Sequence, residues 1–367
     1  MQVKIYSSID NIKESDWNQL IHPDDIFNKY HFHRALEVSE CIGLERSQVP
    51  HYITVSEDSV LRAACVVYIK DHSYGEYIFD WAWADLYSRY GEDYYPKLIA
   101  QNPFTPATNR TFLYTDSKYI PELMSELQKL SESLGVSSKH LLFLDAKELP
   151  LLPFEYKTRA SFQYHWKNKG YKDFEDFLTH LKSRKAKQIR KERKTDLEIR
   201  EIPADKLTKY SATFFELYIS TISKKNSYAY LNYEFFNYIF THMKSSIRLI
   251  GAFHEEKLIA ASLYFIGEKK LYGRYWGARE EFRNLHFELC YYQGIDMAIA
   301  NKLDTFEAGA QGEHKISRGF EPTKTYSAHV IFDERFRAPI YNFISEEENQ
   351  IDNLLPELSK RLPFKAD

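Results

Sequence analysis

The feature that most constrains this chain is an internal repeat. The stretch HYITVSEDSVLRAACVVYIKDHSYGEYIFDWAWA, beginning at His51, is matched by SIRLIGAFHEEKLIAASLYFIGEKKLYGRYWGA, beginning at Ser246. In the first copy Val55 leads into a turn at Glu57-Asp58, an apolar run covers Val60–Ile69, and Tyr77–Trp81 reads as a third strand. In the second, Ile247–Phe253 is followed by a turn at Glu255-Glu256, then Leu258–Ile266 and Leu271–Trp276. Short β-branched and aromatic runs bounded by polar turns predict a hairpin and a further strand in each copy. Both middle strands carry an Ala pair, Ala63-Ala64 and Ala260-Ala261.

Each copy then turns helical. Leu123, Leu127, Leu130 and Leu134 predict a helix over Ile120–Leu134, stopped by Gly135 and followed by a strand at His140–Leu144. Phe287, Tyr291, Ile295 and Ile299 recur every four residues, so a second helix runs to Asn301 and a strand follows at Asp304–Ala308. Strands, helix and strand, twice over, predict an α+β chain with a mixed sheet flanked by helices in each half. Leu149–Phe154 reads as a connector, Phe174–Lys194 as one long helix, and Leu207–Ser223 and the run around Phe235–Phe240 as two more. The expected domains are 1–160 and 161–345, with a helical tail over 346–367.

With a net charge of −3, the protein as a whole is not a polyanion-binding surface. Its three cysteines, Cys41, Cys65 and Cys290, form neither a disulfide framework nor a metal spacing, which suits a reducing compartment. Nothing resembling a signal peptide or an 18-residue apolar span is evident, so the expectation is a cytoplasmic protein without a membrane span.

The densest chemistry lies in FEAGAQGEHKISRGFEPTKTYSAH, from Phe306 to His329. Gly309, Gly312 and Gly319 punctuate Gln311, Glu313, His314, Lys315 and Arg318, on a loop directly after a strand. Glycines let a backbone approach a ligand closely, and loops on a rigid sheet are where sites concentrate. Arg274 and Trp276 end the preceding strand, and His286 and Glu288 open the following helix. His286, Glu288 and His314 lack the close spacing of a metal site, so no metal is expected. In the first half, Tyr74, Glu76, Asp80, Trp81, Lys97, Phe104 and Thr105 form an aromatic and charged set suited to a planar or sugar-like ligand, or else to an aromatic core. KSRKAKQIRKERK, Lys182–Lys194, carries eight Lys/Arg against the single acid Glu192. It is either a solvated surface or a phosphate-backbone contact through Lys185, Lys187 and Arg190.

The second half, from FLTHLKSRKAKQIRKERKTDLEIREI through LHFELCYYQGIDMAI to GAQGEHKISRGFEP, resembles the FemAB-like branch of the GNAT acyltransferase superfamily. The first half, with HSYGEYIFDWAWA, YYPKL and PFTP, is similar to the subgroup associated with peptidoglycan biosynthesis and recognition. The resemblance implies two tandem GNAT-like domains and direct acyl or aminoacyl transfer to an amine, such as that of a peptidoglycan precursor, in a groove between domains. No obligate protein partner and no tightly bound cofactor are implied; the donor is aminoacyl-tRNA or acyl-CoA. Between Gly277 and Gly294 there is no glycine, so the pyrophosphate loop of CoA-using relatives has no counterpart. By the match to GAQGEHKISRGF, Glu313, His314, Lys315 and Arg318 inherit a candidate role; by their own chemistry Glu313, His314, Lys315 and Glu288 are the catalytic candidates, and Arg274, Trp276, His286, Gln311 and Arg318 the candidate substrate contacts. A CoA-dependent N-acetyltransferase and a non-catalytic recognition module remain the alternatives.

Overall fold

The paired apolar runs of the repeat form two hairpins: β2 (Gln48–Glu57) with β3 (Val60–Lys70), and β9 (Ile247–His254) with β10 (Lys257–Ile266). Asp58 and Ser59 join the first pair and Glu255 and Glu256 the second, all four at positive φ. Two-residue turns of that hand match the twist of the strands they join. These are features of a computed structural model that describes residues 1–224, 227–310 and 312–365.

By contact density the chain divides into two units, Met1–Phe162 with Lys324–Asn353, and Gln163–Thr323 with Leu354–Asp367. The first unit orders its strands β1 (Gln2–Tyr6), β2, β3, β4 (Lys97–Ala100), β6 (Ser138–Leu144) and β13 (Phe320–Ile331), with β5 (Phe112–Tyr114) beside β3. The second unit orders β8 (Glu198–Ile202), β9, β10, β11 (Lys270–Ala278), β12 (Thr305–Glu307) and β7 (Lys157–Lys167). In both, the fourth and fifth strands are parallel and every other neighbouring pair is antiparallel. The two units repeat one mixed-sheet topology.

Three expectations change. The third strand of the first copy is β4, while Trp81 opens a helix over Trp81–Arg89. Along 77–81 the side chains still alternate, Ile78 and Asp80 inward and Tyr77, Phe79 and Trp81 outward, but no neighbouring strand offers them a ladder. The predicted long helix breaks into Phe174–Thr179 and Ser183–Glu192. The backbone at the break is spent elsewhere: Lys182 N donates to Pro363 O at 2.8 Å, and Lys365 N donates to His180 O at 2.9 Å. Finally, 324–345 falls in the first unit rather than the second, because Tyr326–Ile331 of β13 pairs with β6. Strand β7 correspondingly follows β6 in the chain but pairs with β12. The C-terminal helix is Glu334–Ser359, starting before the expected tail.

In the first unit, Leu123, Leu127 and Leu130 of the helix Ile120–Leu134 cover Ile53, Val55, Ala63, Cys65 and Val67 of the hairpin. In the second, the helix Ser211–Lys224 lies directly on β11. A Cβ at Gly277 would stand 1.9 Å from the Leu217 carbonyl oxygen, so only glycine permits that approach.

Candidate functional site

The parallel pair of the second unit frames the candidate site. Pairing between β11 and β12 ends at Tyr272 and Glu307, and the two strands then part. Beyond this point Gly309 and Gly312 adopt φ of 81° and 116°, and a 3-10 turn covers Glu313–Arg318 before Gly319 at φ 86°. L-residues rarely adopt such φ, which is why the turn's flanks are glycine. The turn drives Lys315 inward, 1% exposed, where Nζ donates to the Gly309 carbonyl oxygen at 2.7 Å. Burial pulls the ammonium down to about 7; Cys290 opposes the shift and Arg274 adds to it. A lysine poised near neutrality can give or take a proton.

The facing wall is the segment 285–300, which is α-helical at Leu285–Phe287 and Gln293–Ala300 and makes a π-turn at Glu288–Tyr292. Single π-turns inside helices recur at functional sites. This one places Tyr291 beside the turn, its hydroxyl sharing a 2.8 Å hydrogen bond with His314 Nε2 and its ring 6.0 Å from Lys315 Nζ. His314 is depressed by burial, then by Arg318 and Lys315. His286 stands between Trp276, at 5.1 Å between ring centroids, and Tyr291, at 5.3 Å. Trp276, His286, His314, Lys315 and, through its field, Arg274 are thereby brought together.

Other predicted residues are placed differently. Glu288 is not directed at the turn: Arg193 grips both its oxygens at 3.1 Å and Gln293 donates to it at 2.7 Å. Glu313 is exposed and paired with Arg361 at 3.2 Å. Arg318 is 4% exposed and donates to Glu192 at 2.8 Å, to the Tyr292 hydroxyl at 2.9 Å and to the His314 carbonyl at 2.9 Å. It is a brace for the turn rather than an open substrate contact. Gln311 lies outside the described residues.

The aromatic and charged set of the first unit splits in two. Lys97 is fully buried, 2.9 Å from Glu76 and 2.6 Å from the Ser73 hydroxyl, and also bonded to Asp80; Lys70 closes the group 3.2 Å from Glu76. Those charges neutralise one another and are withdrawn from any ligand. Tyr74 and Trp81 lie outside, with ring centroids 5.1 Å apart. Phe104 and Thr105 are buried. Thr105 lines a cavity of about 20 Å³ where β4 and β6 part, room for a single water rather than a substrate. At the corresponding place in the second unit stands the buried Lys315.

Sequence reasoning missed Tyr291, Tyr292, Cys290, Glu192 and the buried pair His165–Glu307 (4.0 Å). The tyrosines were read as part of a core stripe, and a π-turn carries no sequence signature. Glu192 did carry a signal, as the lone acid of the basic run.

On the basic helix, Ala186 and Ile189 face inward, and Arg184, Lys187 and Lys191 form an exposed stripe on the other side. These three cations have no ion-pair partner among the described residues. Arg190 instead pairs with Glu175 at 2.6 Å, and Lys185 reaches Gln188 at 3.4 Å. No helix among the described residues is long and apolar enough to cross a membrane.

The chain is thus a tandem repeat of one mixed-sheet unit, with a buried lysine where the parallel strands of the second unit part. The FemAB-like family model, described as peptidoglycan biosynthesis/recognition, matches residues 8–366, so the chain belongs to that family. Among solved structures it is similar to FemX, with 9% identity, a TM-score of 0.55, and 93% of this chain and 100% of that one covered. It is also similar to the C-terminal domain of a putative lysylphosphatidylglycerol synthetase from Agrobacterium fabrum, with 10% identity, a TM-score of 0.55, and 90% and 95% covered. L-PGS from Bacillus licheniformis gives 8% identity, a TM-score of 0.52, and 84% and 93% covered. No curated protein sequence matches. At such identities the likeness is one of fold.

Proposed function

We propose that this protein transfers an aminoacyl group from aminoacyl-tRNA to an amine of a peptidoglycan precursor, with Lys315 as the proton-transfer group. The observation that carries this reading is the buried Lys315 amine, held near neutrality where β11 and β12 part. The neutral acceptor amine attacks the ester carbonyl carbon, forming the C–N bond. The neutral Lys315 amine takes the proton from the attacking nitrogen. When the C–O bond breaks, Lys315 returns that proton to the departing ribose oxygen. General acid–base transfer of this kind contributes roughly 10²–10⁴-fold to rate. His314, hydrogen-bonded to Tyr291, completes the polar lining.

A tRNA-borne donor is supported by two features. The 278–293 segment lacks the glycines that would cradle a CoA pyrophosphate, and the stripe Arg184–Lys187–Lys191 presents unpaired cations to a phosphate backbone. The test is single-turnover transfer from a panel of aminoacyl-tRNAs, and separately from acetyl-CoA, to precursor amines. Transfer from acetyl-CoA alone would sink the tRNA reading. Transfer undiminished in Lys315→Met would sink the role of the lysine.

A further inference from the structure

The basic run contains one carboxylate, and an acid on a polyanion-binding helix works against binding. Glu192 does not sit on the exposed stripe. It turns inward at the end of the helix, where it accepts from Arg318 Nη2 at 2.8 Å, from Gln188 at 2.8 Å and from the Tyr292 hydroxyl. Arg318 then spans back to the turn: Nη1 donates to the His314 carbonyl at 2.9 Å, and the guanidinium lies 3.6 Å over the Phe287 ring. The next residue, Arg193, binds Glu288 at 3.1 Å and Asp296 at 2.6 Å on the opposite wall. The last turn of the basic helix is therefore bonded both to the turn that carries Lys315 and to the π-turn that faces it.

We propose that Glu192 is a positioning residue for Lys315, acting through Arg318, and that it couples tRNA binding on the Arg184–Lys187–Lys191 stripe to the reactive amine. The coupling rests on the tRNA-donor reading above; the positioning role does not. The carboxylate fixes Arg318, Arg318 fixes the turn through the His314 carbonyl, and the turn holds Lys315 against Gly309. A helix drawn toward a phosphate backbone pulls on this chain of bonds at its first link. By reciprocity, any change that tRNA makes at Lys315 is matched by an effect of the Lys315 turn on tRNA affinity.

The experiment follows the rate at which acetic anhydride modifies Lys315, resolved by peptide mass spectrometry, with and without deacylated tRNA at low salt. Lys97, buried in the first unit, serves as the internal control. Bound tRNA is expected to change the wild-type Lys315 rate by about fivefold or more, the lower end for coupled sites. Glu192→Gln is expected to raise the basal rate and to abolish the response while tRNA still binds; Glu192→Asp restores both. Tyr292→Phe removes two bonds of the same link, the one its hydroxyl donates to Glu192 and the one it accepts from Arg318, without a charge change, and decides the matter if Glu192→Gln fails to fold. A basal rate in Glu192→Gln or Tyr292→Phe equal to wild type overturns the positioning role. Bound tRNA without effect on wild-type Lys315 overturns the coupling alone. Absence of tRNA binding removes the donor reading and the coupling with it, while the basal rates still judge the positioning role.

Discussion

Lys315 Nζ and the Gly309 carbonyl oxygen lie 2.7 Å apart, with the lysine wholly withdrawn from solvent. A neutral amine is the form that can accept a proton, and burial brings its midpoint to about 7. Activity is expected to rise with pH through about 7 and then level off. Lys315→Arg keeps a cation that cannot deprotonate. It is expected to lower kcat by about 10²–10⁴ and to erase that pH limb, read from single-turnover rates between pH 5.5 and 9.

The buried charges of the first unit make a contrasting prediction. Lys97→Met leaves Glu76 and Asp80 without their shared cation inside the protein. The expected loss is about 3–5 kcal/mol, measured by urea unfolding. Tyr74→Ala, at a residue 53% exposed, is expected to change stability by about 0.5 kcal/mol or less. Comparable losses from the two would show that the charge cluster is not the structural element described.

Acid should destabilise the fold before it titrates most carboxylates. Burial holds His33 down at about 3 and His165 at about 4, and holds His140 and His329 well below their ordinary range. In the unfolded chain these imidazoles titrate near 6.5, so the unfolded state binds more protons below that pH. Their contribution is complete above about 6.5 and is lost as pH falls toward the folded values. Glu148, raised by burial to about 8, acts in the opposite sense, as do Glu76 and Asp296, also raised by burial, but His51, His72 and His314 are lowered by burial too and add to the four. The urea midpoint should fall between pH 7 and pH 5, and less steeply in His165→Gln.

Gly277 tests the seat of the helix Ser211–Lys224 on β11. A methyl group 1.9 Å from the Leu217 carbonyl forces the helix away from the sheet. Gly277→Ala should cost about 3 kcal/mol, at the upper end for overpacking, with thermal unfolding as the measure.

If the exposed stripe meets a phosphate backbone, each of Arg184, Lys187 and Lys191 changed to Gln should lower the salt dependence of tRNA binding by about one unit of slope. Arg190→Gln, which removes a cation already paired with Glu175, should alter the slope least. Equal effects at all four positions would argue for diffuse attraction instead of a defined stripe.

The hairpins, the helix Ile120–Leu134 and the strand after each helix were legible because their signals are local. Periodicity two, periodicity four and polar turns are written within a dozen residues. Tyr77–Trp81 misled for the same reason: its alternation is real, but a strand also needs a neighbour, and none is provided there. The break at Leu181 was invisible because its cause, the backbone of Pro363–Lys365, lies far along the chain.

The site divides along the same line. The repeat, the glycine-flanked turn Glu313–Arg318 and the family resemblance were all readable in the chain, since each is a property of contiguous residues. How each charged residue is buried and paired was decided only by folding. Burial makes Lys315 nearly neutral, while the equally charged Glu288 and Arg318 are consumed by Arg193 and Glu192, partners roughly a hundred or more residues away. Composition records that a charge is present. Its protonation and its freedom to act depend on the dielectric and the counter-charges that tertiary contacts assemble around it.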